Sequence, residues 1–247
     1  MTAQTATMRL LSYNIHKGIG GSDRRYSLER VLRVIEAEKP DLICLQEVTR
    51  NVRRSHYHDQ PRMLAEYFNA RAHFYQLNVH LHNGGYGNLM LSRWPFRARH
   101  QVSLRLGQRK PRGAQLAVVD TDEGPLHLVN WHLGLNEEER HWQVAHLLGH
   151  HSFREFAHLP TLIAGDYNDW RNTLAAGPFA RHQFRQLTGP PSRFRSFPAF
   201  LAVMALDKAF CRGDLIVRQA RVVRTPLSRR ASDHLPLVID FHLGKSR

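Results

Sequence analysis

Apolar residues along this chain fall into short runs, most of them bounded by Gly, Pro or Asp. RLLSYNI (9–15) has a β-type mix, and DLICLQE (41–47) is almost continuously apolar, as in a strand covered on both faces. HFYQLNV (73–79), GNLMLS (87–92), AQLAVVD (114–120), LHLVNWH (126–132), PTLIAGD (160–166), ALDKAF (205–210), LIVRQARVV (215–223) and LPLVIDF (235–241) read as further strands. SLERVLRVIEAEKP (27–40) instead has helical spacing, with Leu28, Val31, Leu32 and Ile35 on one stripe, Ser27 as cap and Pro40 as stop. QPRMLAEYFNA (60–70) predicts a second helix. Asn136 followed by three glutamates predicts the start of a third, with Glu139 placed for a capping box, running to about 157 and burying Val144, Leu147, Leu148 and Phe156. Residues 177–200 show no period and predict an irregular, exposed loop region. Nine or ten strands with three or four helices predict an α/β (α+β) chain: two mixed β-sheets packed face to face with helices outside, in a single domain over 1–247 with its core at about 9–243.

Polar residues sit at a recurring place in this pattern. Asn14, Glu47, His132 and Asp166 each close an apolar strand just before the chain turns, in SYNIHKG, CLQEV, NWHLG and AGDYND. Asp207 and the Ser232–Asp233–His234 triplet flank apolar strands in the same way. These are either ordinary solvated strand ends or one shared acidic site, because strand ends of layered sheets converge on a rim where sites form. As a site, the set has a definite chemistry. Carboxylates and a carboxamide are hard oxygen donors that suit Mg²⁺ or Mn²⁺, which leave positions open for water and phosphate oxygens. Neighbouring histidines can serve a phosphoryl oxygen or a leaving group. The set fits metal-assisted hydrolysis of a phosphate ester.

Composition changes the picture only in part. The 247 residues carry a formal charge of +14, with 42% hydrophobic and 23% charged residues, which excludes intrinsic disorder. Residues 87–119 hold seven basic residues and no acid, and residues 171–232 hold twelve basic residues and two acids. They flank an acidic stretch, 120–170. A basic excess fits a polyanionic partner, although thirty of the 35 basic residues are Arg, which coding bias also produces. Cys44 and Cys211 lie inside apolar runs with no CxxC spacing, as buried thiols in a reducing compartment would. The first eighteen residues lack the pattern of a secretory leader, and no apolar run reaches the length of a membrane helix. The expected compartment is the cytoplasm.

The ordered motifs SYNIHKG, DLICLQEV, GYGNLMLSRWP, LVNWHLG, LIAGDYND, SFPAF…ALDKAF and SDHLPL resemble the endonuclease/exonuclease/phosphatase superfamily, the deoxyribonuclease I-like group. The likeness runs from about Arg9 to about Leu243 and implies a four-layer sandwich with its site at one end of two packed sheets. It implies Glu47 as principal metal ligand, Asn14 as a metal-site or phosphate contact, and Asp233 as a support of the metal site. It also implies Asp166 as the residue that positions or activates water, Asn168 as a holder of a phosphate oxygen, and Asp207 as the aspartate that orients His234. His234 faces the scissile phosphate as base or stabiliser, and His132 is the second histidine. Asn88 in GYGN is a weaker phosphate contact by the same likeness. Lys208 departs from it, since many members carry His or Arg there.

Other features carry less. Seventeen histidines include His146/His150, His56/His58 and His80/His82, but no HExxH and no Cys partner for zinc. GIGGS (18–22) and LGKS (243–246) lack the spacing of a phosphate-cradling loop. Trp131 reads as core, and Trp170 beside GDYND reads as a surface aromatic able to stack on a base. Arg140 and Gln143 follow the His132 loop and either face the site or simply begin a helix, with Arg140 taken as a phosphate contact. The combined expectation is a phosphodiesterase using Mg²⁺ (or Mn²⁺), nuclease-like, acting on a polyanionic substrate and with no protein partner. The alternatives are a phospholipid or sphingolipid phosphodiesterase at anionic membranes, and a non-catalytic polyanion-binding protein.

Overall fold

The computed structural model describes residues 7–244. Residues 1–6, which enter the leader reading, and 245–247, which enter the LGKS reading, lie outside it. The strands are β1 (Met8–Asn14), β2 (Leu42–Arg50), β3 (Ala72–Leu81), β4 (Gly84–Ser92), β5 (Phe96–Ser103), β6 (Gly113–Thr121), β7 (Gly124–His132), β8 (Thr161–Asp166), β9 (Arg185–Gln186), β10 (Asp207–Arg212), β11 (Leu215–Val222) and β12 (Leu237–Leu243). The helices are α1 (Leu28–Glu38), α2 (Gln60–Tyr67), α3 (Glu137–Gly149), α4 (His151–Arg154) and α5 (Pro226–Ala231). The strands form two six-stranded mixed sheets, ordered β11-β12-β1-β2-β4-β3 and β5-β6-β7-β8-β10-β9. Each sheet has one parallel pair, β1/β2 and β7/β8, and α1 and α3 lie in the respective connections.

Strand alternation explains the layers. Leu10, Cys44 and Ile239 of the first sheet and Leu128, Ala164 and Cys211 of the second share one buried cluster, the core between the sheets. Their neighbours in sequence face outward: Leu11, Tyr13, Ile43 and Leu45 pack with Val31, Val34, Ile35 and Leu64 of α1 and α2. Val129, Trp131 and Ile163 pack with Val144, Leu147, Leu148 and Phe153 of α3 and α4. Two apolar faces per sheet are what the unbroken runs of β2 and β8 require.

The core between the sheets is apolar at one end only. Toward the C-terminal ends of the parallel pairs, the inward positions become Ser12, Gln46, Gln115 and Asn130, all buried. Gln46 donates to Asn130 Oδ1 at 2.8 Å, and Asn130 Nδ2 donates across the gap to the Leu45 and Leu89 carbonyls at 3.1 and 3.2 Å. Asn88 bridges to the Gly113 carbonyl at 2.9 Å, and Gln115 bridges to the Phe74 carbonyl. A buried amide left unpaired costs about 1–3 kcal/mol, so these bonds tie the relative placement of the sheets to a specific register.

The structure corrects the sequence reading in places. There are twelve strands among the described residues. FRARHQVS forms β5, where outward Arg97 and Arg99 alternate with half-buried Ala98 and His100 and hide the period from a hydrophobicity count. The helix from 137 breaks at His150, whose backbone is extended, so Phe153 is buried and Phe156 only half-buried. The same turn lacks the full capping box: Asn136 accepts from Glu139 N, while the Glu139 carboxylate takes Gln143 and Arg109. The complete capping box belongs to α5, between Thr225 and Ser228. In α1, Val34 rather than Leu32 completes the buried stripe. The segment 177–200 is not wholly exposed, because Phe179, Phe184, Leu187, Phe194 and Ala199 are buried. Both cysteines are free and buried.

His127 on β7 tests the packing away from the site. It is fully buried against Phe153 and Phe156, with Nε2 unpartnered. Burial, reinforced by Arg212, pushes its imidazole down to about 3. The unfolded chain takes up this proton near 6.5 and the folded chain does not, so stability falls as pH drops across that window. His127→Leu should flatten the pH dependence of urea unfolding below pH 6.5, by up to about 1.4 kcal/mol per pH unit. Parallel curves for the two proteins would contradict the buried neutral imidazole.

Candidate active site

Register brings the first three residues together. β7, β8 and β10 are adjacent, and His132 pairs with Asp166, which pairs with Asp207. All three therefore stand in one row across the sheet, on its inward face. From the other sheet, Asn14 closes β1 beside Gln46. Glu47 reaches the same end by a different device. The β2–β4 register slips between Leu45 and Val48, and Glu47 has φ +57°, so a bulge turns out of the strand a side chain that alternation would send to the outer face. His16 and Lys17, with φ 45° and 65°, and Asn168, with φ 49°, are also left-handed. Such backbone persists only where its surroundings hold it, and it clusters at functional sites.

The side chains converge on a cavity of about 440 Å³ lined by Asn14, Glu47, His132, Asp166, Asn168, Asp233 and His234. Asp166 is its buried centre. Oδ2 accepts from Asn14 Nδ2 at 3.0 Å and lies 3.3 Å from His132 Nε2 and 3.7 Å from His234 Nε2, while Oδ1 accepts from Asn168 N at 3.0 Å. Behind His234, Nδ1 lies 2.9 Å from Asp207 Oδ2. The ring of Phe197 packs on His234 with centroids 4.8 Å apart. Asn168 Nδ2 donates to the Leu133 carbonyl at 3.0 Å, which leaves one amide hydrogen for the cavity.

Burial pushes the Asp166 carboxyl up, against the pull of His234 and the Asn14 hydrogen bond. Burial alone would depress His234, but Asp207 and Asp166 outweigh it and carry the imidazole well above its ordinary range. His132 goes the other way: burial, with Arg112 and His234 adding, holds it well below. Burial would likewise raise Glu47, yet Lys17, His16 and Lys110 hold it below the usual carboxylate range. The cavity thus pairs an imidazolium with a neutral imidazole around one carboxylate of raised basicity, beside a second carboxylate that stays ionised.

Two further carboxylates, Glu47 and Asp233, line the same cavity. Glu47 is partnered by the Lys17 ammonium, and Asp233 Oδ2 lies 3.7 Å from His16 Nε2. A cation already balances Glu47, and the donors are hard oxygens, so the residues present fit a divalent cation of the Mg²⁺ type. Asp166, Asp207 and His234 also lie within 4.8 Å of one another; Asp207 Oδ2 engages His234 Nδ1, while Asp207 Oδ1 has no partner. Asn14 orients Asp166 through Nδ2, while Oδ1 accepts from His16 N at 3.0 Å and keeps a second lone pair.

Two expected phosphate contacts are not at the cavity. Asn88 lies in the amide layer between the sheets. Arg140 is fully buried: it donates to the Leu135 carbonyl and stacks on Trp170 at 4.9 Å, which fixes two residues of the cavity wall from behind. Gln143 is also buried, bound to Gly134 N and the Leu104 carbonyl. The cations that do line the cavity are Lys110 and Arg112, the latter buried with Nε unpartnered. Lys17 stands beside them. The HKG of SYNIHKG held that signal in the sequence, while Lys110 and Arg112 were hidden within a long basic stretch. The other basic stretch, 171–232, contributes Phe197, Met204 and Leu206 to the cavity wall rather than charge. Lys208 points away from the site. Its ammonium binds the Asp169 carboxylate at 3.1 Å and Asn172 Oδ1 at 2.7 Å, and the same carboxylate accepts from Thr173 and Leu174 N–H.

A profile of the Endonuclease/Exonuclease/phosphatase family matches residues 11–234, and the chain belongs to that family. The protein YbhP of Escherichia coli, described as uncharacterized, is 28% identical over 97% of this chain and 98% of its own. Among solved structures, a mannosyl-6-phosphatase of Bacteroides thetaiotaomicron superposes with a TM-score of 0.74 at 14% identity, covering 96% of this chain and 100% of that one. The D. rerio TDP2 structure complexed with single-strand DNA product gives 0.70 at 17%, covering 96% and 99%. These structural likenesses establish the sandwich fold.

The Lys208–Asp169 pair anchors the loop that carries Asn168 and Trp170. Lys208→Met leaves a buried carboxylate without its cation and should lower stability to urea by about 3–5 kcal/mol. The double variant Asp169→Asn/Lys208→Met should be more stable than the single one by at least about 1 kcal/mol. Equal stabilities would show that the pair is not what holds the loop.

Proposed function

We propose that this chain is a divalent-metal-dependent phosphoesterase that hydrolyses a phosphodiester by in-line attack of water. One observation carries the reading: Asp207 is hydrogen-bonded to His234, and His234 and neutral His132 lie 3.7 and 3.3 Å from one Asp166 carboxylate oxygen, in a cavity that Glu47 and Asp233 also line. Two titratable groups pushed in opposite directions around one carboxylate are the arrangement that separates acid and base roles. Glu47, with Asp233, would hold the metal, which when bound supplies positive charge to the phosphate. Asp166 orients the attacking water and takes its proton. The His234 imidazolium, fixed by Asp207, stabilises charge on the phosphoryl oxygens together with Asn168. The neutral His132 N–H donates a hydrogen bond to the leaving oxygen, which takes its proton from solvent water, and Arg112 and Lys110 receive the flanking phosphate charge.

Of the two solved neighbours above, one is named a sugar phosphatase and the other holds a single-strand DNA product, so the fold alone does not choose between monoester and diester. The cavity supports the diester. Its lining includes the apolar residues Leu135, Trp170, Phe197, Met204 and Leu206, which suit a substrate with a bulky group on each side of phosphorus. A single domain fits the family match across nearly the whole chain. No helix among the described residues is long and apolar enough to cross a membrane.

The test is hydrolysis of bis-p-nitrophenyl phosphate by the full chain with Mg²⁺ or Mn²⁺. Activity should vanish with chelator, and Glu47→Gln and His234→Ala should each lose about 100-fold or more in kcat. Full activity in either variant would overturn the assignment. Asp207→Asn should lower kcat with little change in KM and move the alkaline limb of the pH profile to lower pH, because Asp207 raises His234 and the imidazolium is lost earlier without it. A limb that stays in place would show that Asp207 does not act through His234.

A further inference from the structure

Beside the cavity, residues 197–204 form a tight turn that does something the proposed chemistry does not use. Phe197 and Met204 close its base as an antiparallel bridge, and both line the cavity. Leu201 and Ala202 N–H both donate to the Pro198 carbonyl, Val203 N–H donates to Phe197 O, and Arg229 holds the Ala199 and Phe200 carbonyls. The turn is therefore firmly built, yet its tip turns apolar side chains outward: Phe200 is 53% exposed, Leu201 63% and Val203 53%. A folded chain gains nothing in water from this arrangement, and three large apolar residues grouped on one tip mark a contact surface rather than scattered exposure.

Charge says what that contact is. Arg224 donates to the Arg193 and Arg195 carbonyls, so three guanidinium-bearing residues gather on the flank of the turn, with Arg229 beneath it. Among the described residues none of these four is within salt-bridge distance of a carboxylate, and Arg193, Arg195 and Arg224 are exposed. An apolar tip beside exposed arginines is complementary to an anionic lipid surface, where the tip enters the headgroup boundary and the guanidinium groups meet lipid phosphates. A protein partner would ordinarily need a broad face, of which three side chains are a small part.

We propose that the 197–204 turn seats this protein on an anionic lipid surface, with the cavity mouth held at the level of the headgroup phosphodiesters. The seating stands on the turn alone. The consequence that the headgroup phosphodiester is the substrate rests on the phosphoesterase reading. Phe197 joins the two, since it is at once the base of the turn and the packing partner of His234.

The experiment is flotation of the full chain with vesicles of phosphatidylcholine alone or of equal parts phosphatidylcholine and phosphatidylglycerol, alongside hydrolysis of bis-p-nitrophenyl phosphate in free solution. Wild type should float with the anionic vesicles and not with the neutral ones. The variant F200S/L201S/V203S should lose anionic-vesicle binding by about tenfold or more and keep its rate on the free diester. Arg193→Gln/Arg195→Gln should weaken binding as well, and added salt should weaken it in wild type. Wild type that fails to float, or a triple variant that floats as well as wild type, overturns the proposal. Loss of single-stranded oligonucleotide binding or of self-association in the triple variant, without vesicle binding in wild type, overturns it in favour of those occupants. Vesicle binding with no hydrolysis of the free diester would leave the seating in place and bring down the phosphoesterase reading instead.

Discussion

The hydrogen bond from Asn14 to Asp166 crosses from one sheet to the other, and the site depends on it. Asp166 is buried, and a buried carboxylate without partners is expensive. Its partners come from both sheets and from the loops after β8 and before β12: Asn14 from β1, His132 from β7, the backbone of Asn168, and His234. Beneath it the amides of Gln46, Asn130, Gln115 and Asn88 repeat the crossing bond by bond. Below these the gap is apolar. The two sheets can slide on leucine and isoleucine, but not on this polar layer without orphaning several buried groups. The layer therefore fixes the spacing of every residue above it.

That rigidity explains the electrostatics. Beside the same carboxylate two histidines shift in opposite directions: burial, with Arg112 adding, holds His132 well below its ordinary range, whereas Asp207 and Asp166 outweigh burial and raise His234. A short difference in surroundings yields two protonation states a few ångströms apart. Glu47 completes the set only because a bulge turns it out of its strand, with Lys17 at hand to hold its charge. In the proposed reading these features are the acid, the base and the cation site of a phosphodiesterase.

Much of this was legible in the sequence and some was not, for physical reasons. The apolar runs became β1, β2, β7 and β8, the two parallel pairs; of the polar residues expected to end them Asn14, His132 and Asp166 do, Glu47 sits at a bulge inside β2, and all four line one cavity. Their convergence follows from strand ends meeting at one rim. β5 escaped because its outward positions are charged, and α5 because a six-residue helix shows too little periodicity. Arg140 misled because a charged residue early in a helix reads as exposed, whereas here the cation is buried on Trp170. Asn88 misled because a polar residue near a motif was given a ligand, when the gap between the sheets supplied its partner. The charge of residues 171–232 pointed at the site in bulk, but the arginines bind carbonyls and flank the turn, and it is phenylalanine, methionine and leucine that reach the cavity. Net charge records none of that placement.

In the proposed reading Glu47, at the bulge of β2, and Asp233, in the loop before β12, hold a divalent cation. Titrating Mn²⁺ into the full chain and following the free-ion hyperfine signal by electron paramagnetic resonance tests it without any substrate. Wild type should quench the signal on binding, and Glu47→Gln/Asp233→Asn should leave it as in buffer. A wild-type protein that leaves the signal unchanged, or a double variant that quenches it equally, would contradict the account.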